Sequence, residues 1–205
     1  MGSRIVGIAG GSGAGKTTLA RALVRALGAD RTVWLPGDAY YRDRGGASGA
    51  GEPNFDHPAA LELDLLAAQL DGLRAGEAVA RPVYDFARHR REERTVRVEP
   101  RSFVLVEGVL VLADASVRAR LDLKVWVETP SDLRVLRRIE RDVSERGRDL
   151  ASVRRQYEAT VRPMHERFAE PSRRFADLEI RGDATTPEVA PVLERLGPIP
   201  AQVSR

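Results

Sequence analysis

Eight consecutive residues near the start of the chain have the types and spacing of a loop that binds nucleotide phosphates. They run Gly10-Gly11-Ser12-Gly13-Ala14-Gly15-Lys16-Thr17 and match G-x-x-x-x-G-K-[ST]. Glycines let backbone N–H groups curl around phosphate oxygens, and a helix beginning at Lys16 adds the positive end of its dipole. Lys16 is then placed to bridge the β- and γ-phosphates, and the Thr17 hydroxyl to bind Mg²⁺. Together with Thr18, the loop is the predicted site of a purine nucleoside triphosphate.

Two acidic residues follow strand-like segments and would therefore face this loop. Glu107 follows the apolar run 103–106 and is predicted to be the second residue at the Mg²⁺ site; the alternative is a surface acid at a strand end. Asp38 follows the apolar run 32–35 and Pro36-Gly37, where it could orient or deprotonate a hydroxyl nucleophile. An ordinary turn aspartate is the other interpretation of Asp38.

The segments Asn54-Phe55-Asp56-His57-Pro58 and Pro82-Val83-Tyr84-Asp85-Phe86-Ala87-Arg88-His89 mix aromatic, acidic and histidine side chains. Such a mixture suits a pocket for a sugar-bearing ring, although each segment taken singly also suits ordinary packing. Charge is concentrated farther along, because residues 134–174 hold twelve Arg against seven Asp or Glu. This local excess of +5 exceeds the net charge of +3 of all 205 residues and indicates an ion-paired helix surface, a lid that faces polyphosphate, or a nucleic-acid patch.

Periodicity predicts the elements that must position these residues. Buried strands are expected at 4–9, 32–35, 103–106, 123–127 and 176–180. Helices are expected at 16–27, at 58–73, from Ser131 to a break at Gly147, at 150–168 with an interruption near Pro163, and from Pro187 onward. Residues 82–98 suit a small hairpin. Strands that alternate with helices indicate an α/β fold with a parallel sheet of about five strands covered on both faces. The 42% apolar content without a long apolar run excludes a membrane helix, and the lack of cysteine excludes a disulfide scaffold and a thiolate site.

The ordered set of these motifs resembles the uridine kinase (uridine–cytidine kinase) family from the first strand to about Ile180. The resemblance implies a P-loop NTPase fold with a hairpin insertion, an arginine-rich helical lid and phosphorylation of the 5′-hydroxyl of uridine or cytidine by Mg-ATP or Mg-GTP. It makes Asp38 the base and assigns Lys16, Arg141 and Arg146 to the transferring phosphoryl group. The residues that it assigns to the nucleoside are Asp38, Tyr41, Asp56, Tyr84, Phe86, His89, Arg138, Arg148 and Gln156.

The resemblance further implies a single kinase domain at 1–197, with its nucleoside-binding insertion at about 40–100, its lid at about 137–150, and a frayed tail at 198–205. It implies a homo-oligomer such as a tetramer. The composition, with no secretory signal pattern and no membrane helix, predicts a cytoplasmic protein with neither a nucleic acid nor a membrane as partner. The nearest alternative is a related kinase of a phosphopentose, pantothenate or glycerate. A nucleotide-operated switch is a different class, and the guanine-specific motif Asn-Lys-x-Asp is absent from the chain. A nucleic-acid binder would need a bare basic stripe, whereas acids interrupt the arginines here.

Overall fold

A five-stranded parallel sheet forms the centre of the computed structural model, which describes residues 2–43, 54–86, 88, 90–182 and 188–198. The strands are β1 (Arg4–Ala9), β2 (Thr32–Pro36), β3 (Val79–Asp85), β4 (Arg90–Val98), β5 (Phe103–Glu107), β6 (Leu123–Glu128) and β7 (Leu178–Arg181). The sheet has the order β2-β5-β1-β6-β7, and β3 and β4 form a separate antiparallel hairpin. The expected α/β class, parallel sheet and hairpin are confirmed.

The helices follow the strands along the chain. They are α1 (Lys16–Leu27), α2 (Leu63–Ala75), α3 (Ala115–Arg118), α4 (Ser131–Ser144), α5 (Leu150–Gln156), α6 (Arg162–Met164) and α7 (Ala190–Leu196). Turns of 3₁₀ helix cover Gly37–Tyr40, Pro58–Ala60 and Glu170–Phe175, and turns of π helix cover Tyr157–Val161 and His165–Ala169. Among the described residues, every helix falls short of the length and apolarity that crossing a membrane requires.

Two layers of apolar side chains pack on the two faces of the sheet. On one face, Ile5, Val104 and Val106 contact a cluster that includes Leu66 and Leu70 of α2. On the opposite face, a second cluster joins β1, β5 and β6 to α1 and α7 through the residues Val6, Ile8, Leu19, Leu23, Leu105, Val125, Val192 and Leu196. Because both faces of β1 and β5 are covered, their strands consist almost entirely of apolar residues. This packing holds the carboxyl ends of the strands at one fixed edge.

Three details of the helices differ from the sequence prediction. Pro58 begins a 3₁₀ turn, and the α-helix starts only at Leu63. The last helix, expected from Pro187, begins at Ala190. The short helix α3 was not expected. The predicted frayed tail lies, except for Pro198, outside the described residues.

Candidate active site

The phosphate loop connects the end of β1 to the first turn of α1. Gly13 and Gly15 have φ values of +79° and +96°, which an L side chain rarely adopts. A Cβ at Gly13 would also lie 2.3 Å from the backbone oxygen of Arg134. The Lys16 Nζ donates a hydrogen bond to the Gly11 oxygen at 2.9 Å, and its burial lowers the pKa of the Lys16 amine. The loop therefore has the backbone conformation and the buried cation that a phosphate site needs.

Glu107 lies beside this loop because β5 pairs in parallel with both β1 and β2. The Thr17 hydroxyl donates to Glu107 Oε1 at 3.2 Å. Glu107 is only 9% exposed, so it is a buried acid and not a surface acid at a strand end. Burial raises the pKa of the Glu107 carboxyl, while the nearby Lys16 opposes this shift. A hydroxyl and a carboxylate are the hard oxygen ligands that Mg²⁺ takes beside phosphate oxygens, so the two residues fit the metal.

A cavity of about 550 Å³ opens next to the loop. Most of the residues predicted for the site line it together with Phe55, Val109 and Glu145: Ser12, Lys16, Thr17, Asp38, Tyr41, Asp56, Phe86, Glu107, Arg138, Arg141, Arg146, Arg148 and Gln156. Segments far apart in the chain thus meet in one space. The phosphate loop and three aromatic rings both contribute to the lining.

The rings of Tyr41, Phe55 and Phe86 form the aromatic wall of the cavity, and the Tyr84 ring packs against all three. The ring centroids of Tyr41 lie 5.1 Å from Phe55, 5.3 Å from Tyr84 and 6.2 Å from Phe86. Tyr84 is buried and supports the other rings from behind; it does not line the cavity itself. The predicted residue His89 lies outside the described residues. Aromatic rings that meet edge to face, as these do, can pack against a heterocyclic base.

Two acids stand between the aromatic wall and the phosphate loop. Asp38 lies in the 3₁₀ turn that directly follows β2. The neighbouring Gly37 packs against the end of β5, where a Cβ would lie 2.9 Å from the backbone oxygen of Glu107. Asp56 follows Phe55 on the same side of the cavity. Burial raises the pKa of the Asp56 carboxyl, and the positive charge of Arg138 opposes this. Asp56 is close enough to Asp38, Arg138 and Lys16 to interact with their charges, so the two acids belong to one site.

The remaining side of the cavity is formed by arginines of α4 and of the turn after it. Arg138 donates to Ser12 Oγ at 2.7 Å and to Gln156 Oε1 at 2.9 Å, which joins the lid to the phosphate loop. Arg148 also donates to Gln156 Oε1, and its other nitrogen donates to Ser152 Oγ at 2.8 Å. Since both partners of Oε1 are donors, the Gln156 carboxamide has its NH₂ group free for another partner. The Arg146 guanidinium lies 5.3 Å from the Phe86 ring centroid and so bridges lid and hairpin.

Sequence reasoning missed two residues of this region. Asp142 is fully buried among four lid arginines, and its spacing of four residues from Arg138 and from Arg146 was the available signal. Gly182 packs on the phosphate loop, where an added Cβ would lie 2.0 Å from the Ala14 oxygen. Arg137 donates to the Gly182 oxygen at 2.6 Å. No sequence pattern marked this close approach, which only the tertiary structure creates.

Comparison with known proteins places the chain in a family. The family described as "Phosphoribulokinase / Uridine kinase family" matches residues 5–186. The chain belongs to this family. It is 47% identical over 185 residues to a uridine kinase of Chloroflexus aggregans, covering 89% of this chain and 88% of the relative. It is 48% identical over 177 residues to a uridine kinase of Halobacterium salinarum, covering 85% and 78%.

The fold agrees with this membership of the phosphoribulokinase/uridine kinase family. The solved structure of phosphoribulokinase from Rhodobacter spheroides superposes with a TM-score of 0.64 at 16% identity, covering 87% of this chain and 70% of that one. Both the resemblance and the P-loop kinase fold expected from the sequence are therefore confirmed.

Proposed function

We propose that the chain is a uridine kinase, which transfers the γ-phosphoryl group of ATP or GTP to the 5′-hydroxyl of uridine or cytidine. The observation that carries the proposal is a cavity lined together by the phosphate loop, by Asp38 and Asp56, and by the aromatic rings of Tyr41, Phe55 and Phe86. A nucleoside placed with its base on the wall directs its ribose toward Asp38 and the phosphates. The curated relatives named uridine kinase support this acceptor.

In this mechanism Asp38 orients the 5′-hydroxyl and accepts its proton. The hydroxyl oxygen forms a bond to the γ-phosphorus while the bond from that phosphorus to the bridging oxygen breaks, and the nucleoside diphosphate leaves with the electron pair. Lys16, Arg141 and Arg146 stabilise the negative charge on the transferring group, and closed packing of the arginines excludes water. Thr17 and Glu107 are the residues that would hold Mg²⁺, which neutralises phosphate charge when bound.

The nucleoside contacts follow the same assignment. Asp56 holds ribose hydroxyls with Arg138, the rings of Tyr41 and Phe86 pack on the base, and Arg148 and Gln156 cover it. Tyr84 and His89 are assigned to the pyrimidine edge by the resemblance. We extend the proposal to one kinase domain over residues 1–197 that works in the cytoplasm as a homo-oligomer such as a tetramer.

An assay of ADP or GDP release by the purified protein tests this function. The acceptors are uridine, cytidine, adenosine, pantothenate, glycerate and ribulose 5-phosphate, each with Mg-ATP and then Mg-GTP as donor. We expect turnover with uridine and cytidine and the matching appearance of UMP and CMP. Faster turnover with glycerate, pantothenate or ribulose 5-phosphate would show that this compound, and not a nucleoside, is the acceptor. Release of the nucleoside diphosphate without any acceptor would indicate a regulatory NTPase.

A further inference from the structure

We propose that Asp142 is a positioning residue that holds the arginines of the lid over the cavity before the substrates bind. The inference rests on the proposed function, since it concerns the same site. Four guanidiniums surround the Asp142 carboxylate, and we call them the arginine cluster: Arg138, Arg141, Arg146 and Arg148.

The contacts of the arginine cluster all converge on the Asp142 side chain. Its exposed fraction is 0%, although it lies on the helix next to the cavity. The nearest nitrogen–oxygen distances to Asp142 are 2.8 Å for Arg141, 3.5 Å for Arg146, 3.6 Å for Arg138 and 3.7 Å for Arg148. The Asp142 backbone oxygen also accepts the Arg148 N–H at 3.0 Å, which fixes the turn after α4. One buried anion is thus shared by every member of the cluster.

Charge explains why such an anion is needed. All four guanidiniums line the cavity, and without a substrate they repel one another. Burial acts in the same direction, since it disfavours the charged form of Arg138 and lowers the pKa of that guanidinium, while Asp142 opposes the shift. Long arginine side chains have many rotamers, so uncompensated repulsion would turn them toward solvent. Asp142 removes this repulsion and keeps the cluster in place.

The strength of the contacts suits a device that must later release its arginines. Arg141 makes a hydrogen bond to Asp142 Oδ1, at 2.9 Å from Nε, whereas Asp142 Oδ2 and the Arg138 Nε have no hydrogen-bond partner among the described residues. The other three members are therefore held by charge at 3.5–3.7 Å and not by directed bonds. Phosphate oxygens accept short, charge-assisted hydrogen bonds. A bound phosphate group can therefore draw these arginine side chains away from Asp142 without a large rearrangement.

Three members of the cluster also have a second contact with another part of the site. Arg138 reaches Ser12 of the phosphate loop, Arg148 reaches Gln156, and Arg146 lies over the Phe86 ring of the hairpin. Through these contacts, the Asp142 carboxylate helps to fix the position of the lid relative to the phosphate loop on the donor side and relative to Phe86 and Gln156 on the acceptor side. We therefore expect its loss to affect the binding of both substrates.

The experiment compares Asp142→Asn, Asp142→Glu and the control Glu140→Gln. The control removes a carboxylate from the same helix, but Glu140 is exposed and does not line the cavity. ATP affinity is measured by titration calorimetry without a nucleoside, kcat and both KM values with uridine, and Tm by circular dichroism. In Asp142→Asn we expect ATP to bind about tenfold more weakly, KM for uridine and ATP to rise by a similar factor, and kcat to fall. Asp142→Glu, which keeps the charge, should recover part of each loss, and Glu140→Gln should match wild type.

Two results would overturn the inference. The first is a folded Asp142→Asn protein whose ATP affinity and KM values stay within twofold of wild type, because a purely structural carboxylate would lower Tm alone. If Asp142→Asn does not fold, Asp142→Glu decides, because it keeps the charge but displaces the carboxylate by one methylene group and should therefore recover only part of the affinity. Wild-type affinities in Asp142→Glu would show that the arginines do not depend on where this carboxylate lies and would overturn the inference. Failure of the proposed function looks different: wild type would not turn over uridine, while the calorimetric comparison of ATP binding would still report on Asp142.

Discussion

At the scale of single residues, Asp38 carries the proposed chemistry. Its carboxylate lines the cavity in the turn after β2, between the phosphate loop and Tyr41. Replacing it by Asn preserves size and polarity but removes the ability to accept a proton. The predicted consequences are therefore confined to turnover, which distinguishes Asp38 from the residues that bind.

We predict that Asp38→Asn lowers kcat by about 10²–10⁴-fold, the usual contribution of a general base. The KM for uridine should change little, because the amide still fits the site. Steady-state kinetics with UMP detection provides the measurement, and Asp64→Asn, an exposed acid in the first turn of α2, is the control. A kcat within threefold of wild type would remove Asp38 from the mechanism.

Gly182 gives a second prediction, which concerns packing. A Cβ here would lie 2.0 Å from the Ala14 oxygen and 2.5 Å from Thr129 Oγ1, so backbone must shift to admit it. Overpacking of this kind costs about 1–3 kcal/mol. Since the strained atoms belong to the phosphate loop, Gly182→Ala should lower Tm and also weaken ATP binding. A melting curve and calorimetry check the two effects, and a lower Tm with unchanged ATP affinity would contradict the link to the loop.

At the scale of elements, the helical segment after α5 contains two π-helical turns on either side of Pro163. The second π turn begins with His165, whose ring stacks on Trp126 of β6 at a centroid distance of 6.4 Å. Its Nε2 lies 3.2 Å from Arg134 Nη2 and 3.2 Å from Glu170 Oε2. Burial and the positive charge of Arg134 lower the pKa of His165, and Glu170 opposes this.

The lowered pKa of His165 makes stability depend on pH. Below the ordinary value of 6.5 the unfolded chain takes up a proton that the folded chain resists, so His165 lowers the free energy of unfolding as the pH falls. The contribution is complete above pH 6.5 and is lost as the pH drops toward the folded pKa. We expect the Tm of His165→Gln to fall less steeply than that of wild type between pH 7 and pH 5. Identical slopes for the two proteins would mean that His165 does not titrate in this range.

At the scale of the whole molecule, both layers of the core pack against the same central strands, β1 and β5. The phosphate loop continues β1, and Glu107 ends β5. A ligand bound at this edge is therefore coupled to the sheet on which the rest of the chain folds. One cooperative unfolding transition is the expected behaviour of the proposed single domain.

We predict that Mg-ATP at 100 times its Kd stabilises the protein by about 2.7 kcal/mol. For a chain of this size, that corresponds to a rise in Tm of roughly 5–10 °C. Lys16→Ala should lose most of this rise, because the buried ammonium next to Gly11 no longer contributes to phosphate binding. Calorimetric scans of both proteins with and without Mg-ATP measure this rise in Tm. Two separate transitions, only one of them shifted by Mg-ATP, would contradict the single domain.

The sequence predicted best what local chemistry determines. The bounds of β1 and α1 were predicted correctly, because an apolar run, a glycine-rich turn and helix formers follow one another there. The expected helix start at Pro58 was wrong because tertiary pairing prevails: Leu61 pairs with Tyr41 and Glu62 N–H donates to the Tyr40 oxygen, which keeps this segment extended until Leu63. For Asp142, the spacing to Arg138 and Arg146 indicated ion pairs on a helix surface, but its complete burial and its contact with Arg148 arise only in the folded chain.

The separation of the hairpin from the main sheet has an evolutionary consequence. Within the described sheets, β3 and β4 pair only with each other. Tyr84 lies in β3, and Phe86 follows this strand directly. The phosphate loop and Glu107, in contrast, belong to the ends of strands of the central sheet. If the proposed function holds, mutations that reshape the hairpin can alter which acceptor fits and leave the residues proposed for phosphoryl transfer in place. Selection can act on the two halves of the cavity one at a time, so a lineage of such proteins is able to acquire new acceptors without passing through an inactive ancestor.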